Sequence, residues 1–199
     1  MAHNAIILAA GSSTRLGRPK QLLSREAEIL VHRALRLALA TQPSRTLAIC
    51  GGNAQEVRAA IADLPVEIVF NPDWREGLAS SLRLAAAALA DDERPSLIVG
   101  CDQPALEYDH LRRLLEGATT STSMCAATLH GAAPGIPVVA DATLLRDASA
   151  LQGDTGLRGL LQALPAGSLH LLEAPELEFD LDTRDDVEEA VRRGLIDPF

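Results

Sequence analysis

Aromatic side chains are scarce: the 199 residues hold one Trp, one Tyr and three Phe, 3% in all. A core of this composition is filled by Ala, Leu and Val, which suits helices layered on a sheet better than an all-β sandwich. Cysteine is equally thin. Cys50, Cys101 and Cys125 are odd in number and widely spaced, with no C-x-x-C pair, which argues against a disulfide framework and a zinc site. Cys50 and Cys101 end apolar runs, where a free thiol behaves as a small hydrophobe. The five histidines are dispersed without metal-ligand spacing, and none is assigned a catalytic role. Positive charge is in deficit, 18 Lys and Arg against 27 Asp and Glu for a net charge of −9. Nucleic-acid binding needs a basic field that displaces counterions from phosphates, so no nucleic-acid partner is expected and any phosphate site must be local. No apolar run approaches the roughly 20 residues that span a bilayer. Strand-like sequence begins within a few residues of Met1, so neither signal peptide nor anchor is read, no membrane partner is expected, and the cytoplasm is the expected compartment.

What is present is a regular alternation. Asn4–Ala9, Thr46–Cys50, Val66–Phe70 and Ser96–Cys101 read as buried strands. Helical spacing covers Glu28–Ala40, Ala54–Asp63, Leu78–Leu89 and Tyr108–Glu116. Beyond Cys125 the pattern loosens. Ile136–Val139 reads as an inserted or edge strand, followed by helices at Thr143–Asp147 and Leu157–Leu164, a strand at Leu169–Leu172 and a last helix at Asp185–Arg193. The expectation is an α/β chain of βαβ units with a mainly parallel sheet, forming one domain over residues 1–199 as a monomer or weak oligomer. Ligands of such sheets sit at the carboxyl ends of the strands. Gly11–Lys20, Asn71–Ser81 and Asp102-Gln103-Pro104 therefore share one rim.

The first of these tips carries the clearest chemistry. Small residues at Ala9, Ala10 and Gly11 let a nucleotide approach the backbone, and Arg15 and Lys20 supply cationic contacts for a triphosphate. The loop holds neither G-x-G-x-x-G nor G-x-x-x-x-G-K-[ST], which counts against a dinucleotide oxidoreductase and a P-loop NTPase.

The run L-A-A-G-x-S-x-R-x-G-x-x-K-x-L-L, Leu8 to Leu23, closely resembles the opening of the molybdenum-cofactor cytidylyltransferases, within the MobA-like nucleotidyltransferases. Asn71-Pro-Asp-Trp-Arg-Glu-Gly-Leu-Ala-Ser-Ser-Leu82 resembles the family's N-P-x-W-x-x-G-x-x-S-S-L segment, and Asp102-Gln-Pro104 its D-Q-P. Gly135-Ile-Pro137, Leu151–Arg158 and Asp180–Thr183 resemble later family motifs, in order.

The resemblance implies a three-layer, Rossmann-like fold with a mainly parallel mixed sheet. It also implies transfer of CMP from CTP to the phosphate of molybdopterin or molybdenum cofactor, with Mg²⁺ and release of pyrophosphate, and it leaves room for a molybdoenzyme partner. It assigns Leu8, Ala9, Ala10, Gly11, Arg15, Lys20, Gly77, Ser81 and Asp102 to the nucleotide, with Arg15, Lys20 and Asp102 as the catalytic set. Asp154 and Arg158 fall to the acceptor, and residues 123–155 to an acceptor-side excursion.

These residues also have physical readings of their own. Asp102, at a strand terminus, suits a hard divalent cation held against phosphates, and Asp182 can complete the pair, with Asp180 as its alternative. An Asp-Thr pair before a helix is also an N-cap. Gly77–Ser81 opens a helix whose N–H groups and hydroxyls could face an anion or a base edge, or simply cap it. Arg158 could pair with phosphate or hold Asp154, and Trp74 suits a lid or a packing anchor. GTP in place of CTP, another phosphorylated acceptor, and a pterin carrier without catalysis stay open, although a carrier has no need of divalent-ion carboxylates. One departure stands out: where the family continues with proline and a glycine-containing turn, this chain has Ser24-Arg-Glu-Ala-Glu28.

Overall fold

The computed structural model describes residues 1–13 and 16–198. Along the chain run β1 (Asn4–Ala9), β2 (Ser24–Arg25), β3 (Glu28–Ile29), α1 (Leu30–Ala40), β4 (Thr46–Cys50), α2 (Ala54–Ala60), β5 (Glu67–Phe70) and α3 (Leu78–Ala88). Then follow β6 (Ser96–Gly100), α4 (Tyr108–Thr120), β7 (Ala126–His130), β8 (Ala133–Ala140), α5 (Ala142–Asp147), α6 (Arg158–Gln162), β9 (His170–Glu173) and α7 (Arg184–Arg192). The main sheet has seven strands in the order β5-β4-β1-β6-β8-β7-β9. β5, β4, β1 and β6 run parallel, β8 is antiparallel to both β6 and β7, and β9 is parallel to β7. This is the mainly parallel mixed sheet expected, with helices on both faces.

The side-chain period of two explains why both faces are apolar. Along β1, Ala5, Ile7 and Ala9 join the core under α1 and α4, while Ile6 joins the opposite core under α3, α5 and α6. A third, smaller cluster of Leu16, Leu23, Leu30, Leu181, Val187 and Ile196 fixes α7 against the segment that follows the first loop. No described helix is long and apolar enough to cross a membrane.

Two expectations change. The segment around Ile136–Val139 is not at an edge: β8 lies inside the sheet, between β6 and β7. Its pairing with β7 shifts register between Ala127 and Thr128, so Ile136 and Pro137 have no ladder partner on β7. Such irregularities re-aim a strand locally. The helix expected from Glu28 starts at Leu30, because Glu28 and Ile29 pair with Ser24 and Arg25 in a hairpin.

That hairpin holds the chain's departure from the family pattern. Its two turn residues, Glu26 and Ala27, have φ of 55° and 63°. This is the left-handed region, where a two-residue hairpin turn ordinarily places Asn-Gly. Asp197 offsets the cost: its carboxylate oxygens accept the Glu26 and Ala27 N–H groups, each at 2.8 Å. The strand beneath is braced by Glu28, whose carboxylate accepts two guanidinium N–H groups of Arg36 at 2.7 Å and also meets His32. The Arg36 hydrogen bonds, aided by His32, outweigh desolvation and hold Glu28 down at about 2, against 4.5 for a free side chain.

Ala27→Gly should raise stability by about 1 kcal/mol, because a left-handed alanine costs roughly that much more than glycine; thermal denaturation measures it. Glu28 has a depressed pKa, so its contribution is present above pH 4.5 and is lost as pH falls towards 2. The stability difference between the wild type and Glu28→Gln should therefore be larger at pH 5 than at pH 2 and shrink across that acidic window, as read from denaturant titrations at stepped pH.

Candidate active site

The carboxyl ends of β1 and β6 and the chain entering α7 meet at one point. Lys20 begins a short 3₁₀ turn, Lys20–Leu22, after the first loop. Its Nζ donates to Asp102 Oδ2 at 2.7 Å and to Asp182 Oδ1 at 3.0 Å. Burial alone would lower the Lys20 pKa, but the two carboxylates more than reverse this and raise it above the ordinary lysine value. Thr183 caps α7, accepting the Asp186 N–H at 3.2 Å. Capping is thus supplied by Thr183, and the Asp182 carboxylate meets Lys20. Gly100 makes room behind Asp102: a Cβ at Gly100 would stand 2.6 Å from Asp102 Oδ1. Arg15 lies outside the described residues.

Asp180 shares this corner. Desolvation, together with the charge of Asp102 and less that of Asp182, pushes its pKa up to about 7, with Lys20 opposing. No group of three or more His, Cys, Asp or Glu arranged to hold a metal occurs among the described residues. Two carboxylates converging on a single cation nevertheless fit a hard divalent ion whose remaining positions go to phosphate and water, the usual mode for Mg²⁺. The Lys20 ammonium shows that Asp102 and Asp182 can share one positive charge.

Beside this corner lies an open cleft of about 870 Å³. Asp102, Gln103, Asp180 and Glu178 line it together with Asp154, Arg158, Gly135 and Ile136. Gln103 sets the floor, with Nε2 donating to Ile136 O at 3.1 Å and Leu177 O at 3.0 Å. Asp154 does not pair with Arg158: its Oδ1 accepts the Leu78 N–H at 3.3 Å, while Gly153 O accepts the Ala79 N–H at 3.2 Å. Arg158 is exposed and makes no ion pair among the described residues. The first N–H groups of α3 are therefore spent on the 153–154 segment and are not open to an anion. Gly77 permits that crossing, since a Cβ there would stand 2.5 Å from Gly153 O and its φ is 119°.

Asn71 and Gln21 are two buried organisers that sequence reasoning left without a role. Asn71 Nδ2 donates to Ser80 Oγ at 2.8 Å and to Ser81 Oγ at 3.0 Å, so both hydroxyls at the start of α3 are oriented from behind. Trp74 packs over Gly51 and Gly52, as an anchor. Gln21 is fully buried and donates to the Ala9 and Gly11 carbonyls, the former at 3.2 Å. The only signal in the sequence was polarity in an otherwise apolar setting, Asn after Phe70 and Gln before Leu22-Leu23. Leu8 and Ala9 end β1 and Ala10 and Gly11 follow it, on the rim that Lys20 and Asp102 share.

Residues 5–168 match the MobA-like NTP transferase domain. The chain belongs to that family. It is a nucleotidyltransferase. It is 28% identical to the molybdenum cofactor cytidylyltransferase of Escherichia coli K12 over 188 residues, 93% of each chain. It superposes on a nucleotidyl transferase from Methanothermobacter thermautotroptrophicus with a TM-score of 0.81 and 25% identity, covering 98% of both chains. Rv0371c of Mycobacterium tuberculosis H37Rv, in complex with manganese, gives a TM-score of 0.77 and 25% identity over 96% of this chain and 99% of that one. Nucleotidyltransferases of this family use divalent metals, in keeping with the paired carboxylates.

Lys20→Met should leave Asp102, Asp180 and Asp182 facing one another without their ammonium, lowering stability by about 2–3 kcal/mol. Excess Mn²⁺ should restore much of the lost melting temperature in this nucleotidyltransferase variant while shifting the wild type far less. Equal shifts in the two proteins would show that Lys20 and the cation do not share the carboxylates.

Proposed function

We propose that this nucleotidyltransferase moves CMP from CTP to a phosphate of molybdopterin or of the molybdenum cofactor, with Mg²⁺ as its cation. The observation that carries this reading is the meeting of Lys20 with Asp102 and Asp182 beside a cleft that also reaches Asp154 and Arg158. The likeness to the Escherichia coli cytidylyltransferase supports the choice of acceptor. CTP is favoured by Leu8-Ala9-Ala10-Gly11, which lacks the second glycine more frequent in the guanylyl branch, and by Asp102-Gln103-Pro104.

In this reading an oxygen of the acceptor phosphate attacks the α-phosphorus in line. A new P–O bond forms, the anhydride bond between the α- and β-phosphates breaks, and pyrophosphate departs with the bonding electrons. The attacking oxygen is already anionic, so no protein base or covalent nucleophile is required. Catalysis is then positioning and charge stabilisation. Lys20 and Arg15 hold phosphate oxygens of the triphosphate, Leu8–Gly11 lets the nucleotide approach the backbone closely, and Gly77 and Ser81 shape its nucleoside side. Asp102 and Asp182 would hold Mg²⁺, which when bound neutralises phosphate charge and acts as a Lewis acid. Arg158, exposed on the cleft wall, takes the acceptor phosphate, and Asp154 keeps that wall joined to α3. The whole chain acts as one domain whose residues 123–155 build the acceptor side. Gly131, Pro134, Gly135 and Ile136 support that division, since they line the cleft.

Pyrophosphate release from CTP and molybdopterin should require Mg²⁺ and exceed release from GTP. Lys20→Ala and Asp102→Asn, assayed at a temperature where circular dichroism shows them folded, should each lose about 10²-fold or more in turnover. Turnover that survives chelation of divalent ions, or a preference for GTP, would overturn the assignment of cation or of nucleotide respectively.

A further inference from the structure

Gln21 stands out among the buried polar groups. Its side chain is wholly enclosed, yet it touches neither the paired carboxylates nor the cleft. Instead it addresses the loop after β1. Its Nε2 donates to the carbonyls of Ala9 and Gly11, and its Oε1 accepts from Ser13 Oγ at 3.4 Å. The Ala10 carbonyl is taken from the other side by the Gly52 N–H at 3.0 Å. Three successive carbonyls of the loop are thus occupied by protein donors. Among the described residues, the N–H groups of Gly11, Ser12 and Ser13 donate to no protein acceptor.

A loop with three successive carbonyls engaged, followed by successive N–H groups that are not, is an anion receptor built from the backbone. Two further features agree. Ser13 has a φ of 52°, a left-handed conformation that serine adopts only when its surroundings impose it. The same Ser13 hydroxyl that meets Gln21 accepts the Lys20 N–H at 3.0 Å, so the turn carrying the catalytic ammonium is tied to the loop through one hydroxyl.

We infer that Gln21 is a positioning residue for the triphosphate: by drawing the Ala9 and Gly11 carbonyls onto its amide, it makes the loop a receptor for phosphate oxygens and sets that receptor in register with Lys20. This rests on the reading of the loop as the nucleotide site. Gln21 acts through the backbone, so its removal alters binding of the phosphates and not recognition of the base or of the acceptor.

The test is isothermal titration of the full chain with Mg²⁺ and either CTP or inorganic tripolyphosphate, for the wild type and Gln21→Met, which keeps length and volume but has no donor. Gln21→Met should bind both ligands at least about tenfold more weakly, with the loss in kcat/KM appearing in the KM for CTP and the KM for the acceptor unchanged within about twofold. Binding of both ligands within about twofold of the wild type overturns the inference, as does a loss shared equally by the acceptor. If Gln21→Met does not fold, Gln21→Glu takes its place, since it keeps an oxygen for Ser13 but sets an acceptor against the carbonyls. If neither variant folds, the side chain is a core element and the inference fails. Failure of the wild type to bind CTP while it binds tripolyphosphate would sink the choice of nucleotide alone, leaving the tripolyphosphate comparison to decide the role of Gln21.

Discussion

One ammonium group organises this end of the molecule. Lys20 reaches two carboxylates that are 82 and 162 residues away in sequence, and each contact lies within 3.0 Å. A pair of opposite charges at such a distance is worth roughly 5 kcal/mol at an effective dielectric near 20, before the cost of desolvation is set against it. The carboxylates repel one another, and the ammonium between them offsets that repulsion where the end of β6 meets the entry to α7. In the proposed reading a divalent ion takes the same oxygen pair, so the contacts that join these distant segments would also set where metal and phosphate charge are accommodated.

The surrounding structure makes that meeting reproducible. Leu16, Leu23 and Leu30 pack against Leu181, Val187 and Ile196, so the segment carrying Lys20 and the segment carrying Asp182 share one small core. Asp197 ties the end of the described chain back to the Glu26–Ala27 turn, where the usual glycine is missing. Gln21 and Asn71 do for the backbone and the hydroxyls what the salt bridges do for the charges, since each is buried and each orients groups that border the rim. On the far wall, the start of α3 is joined to Gly153 and Asp154, which couples the nucleotide side of the proposed transfer to the acceptor side through a helix terminus.

Much of this was legible from residue pattern. The apolar runs at Asn4–Ala9, Thr46–Cys50 and Ser96–Gly100 are strands because they are buried on both faces, and a continuous apolar run is what such burial demands. The rim assignment followed from their parallel order, which brought Gly11, Asn71 and Asp102 to one side. Less regular segments were misread where tertiary contacts overrode local preference. Glu28 and Ile29 have helical spacing but are held in a hairpin by Asp197 and by the charges around Glu28. β8 carries two prolines and reads as peripheral, yet it is internal because its bulge lets Pro137 sit where no ladder hydrogen bond is asked of it.

By itself, the sequence determined the layer order, the identity of the charged groups and the fact that they fall at strand ends, because hydrophobic period and turn chemistry are local properties. Only the tertiary structure decided which carboxylate Lys20 meets, that Thr183 and not Asp182 caps the last helix, that Asp154 faces Leu78 instead of Arg158, and that Gln21 holds the first loop. Those choices depend on distances between segments far apart in the chain, which are set by how the sheet, its two cores and the α7 cluster pack together.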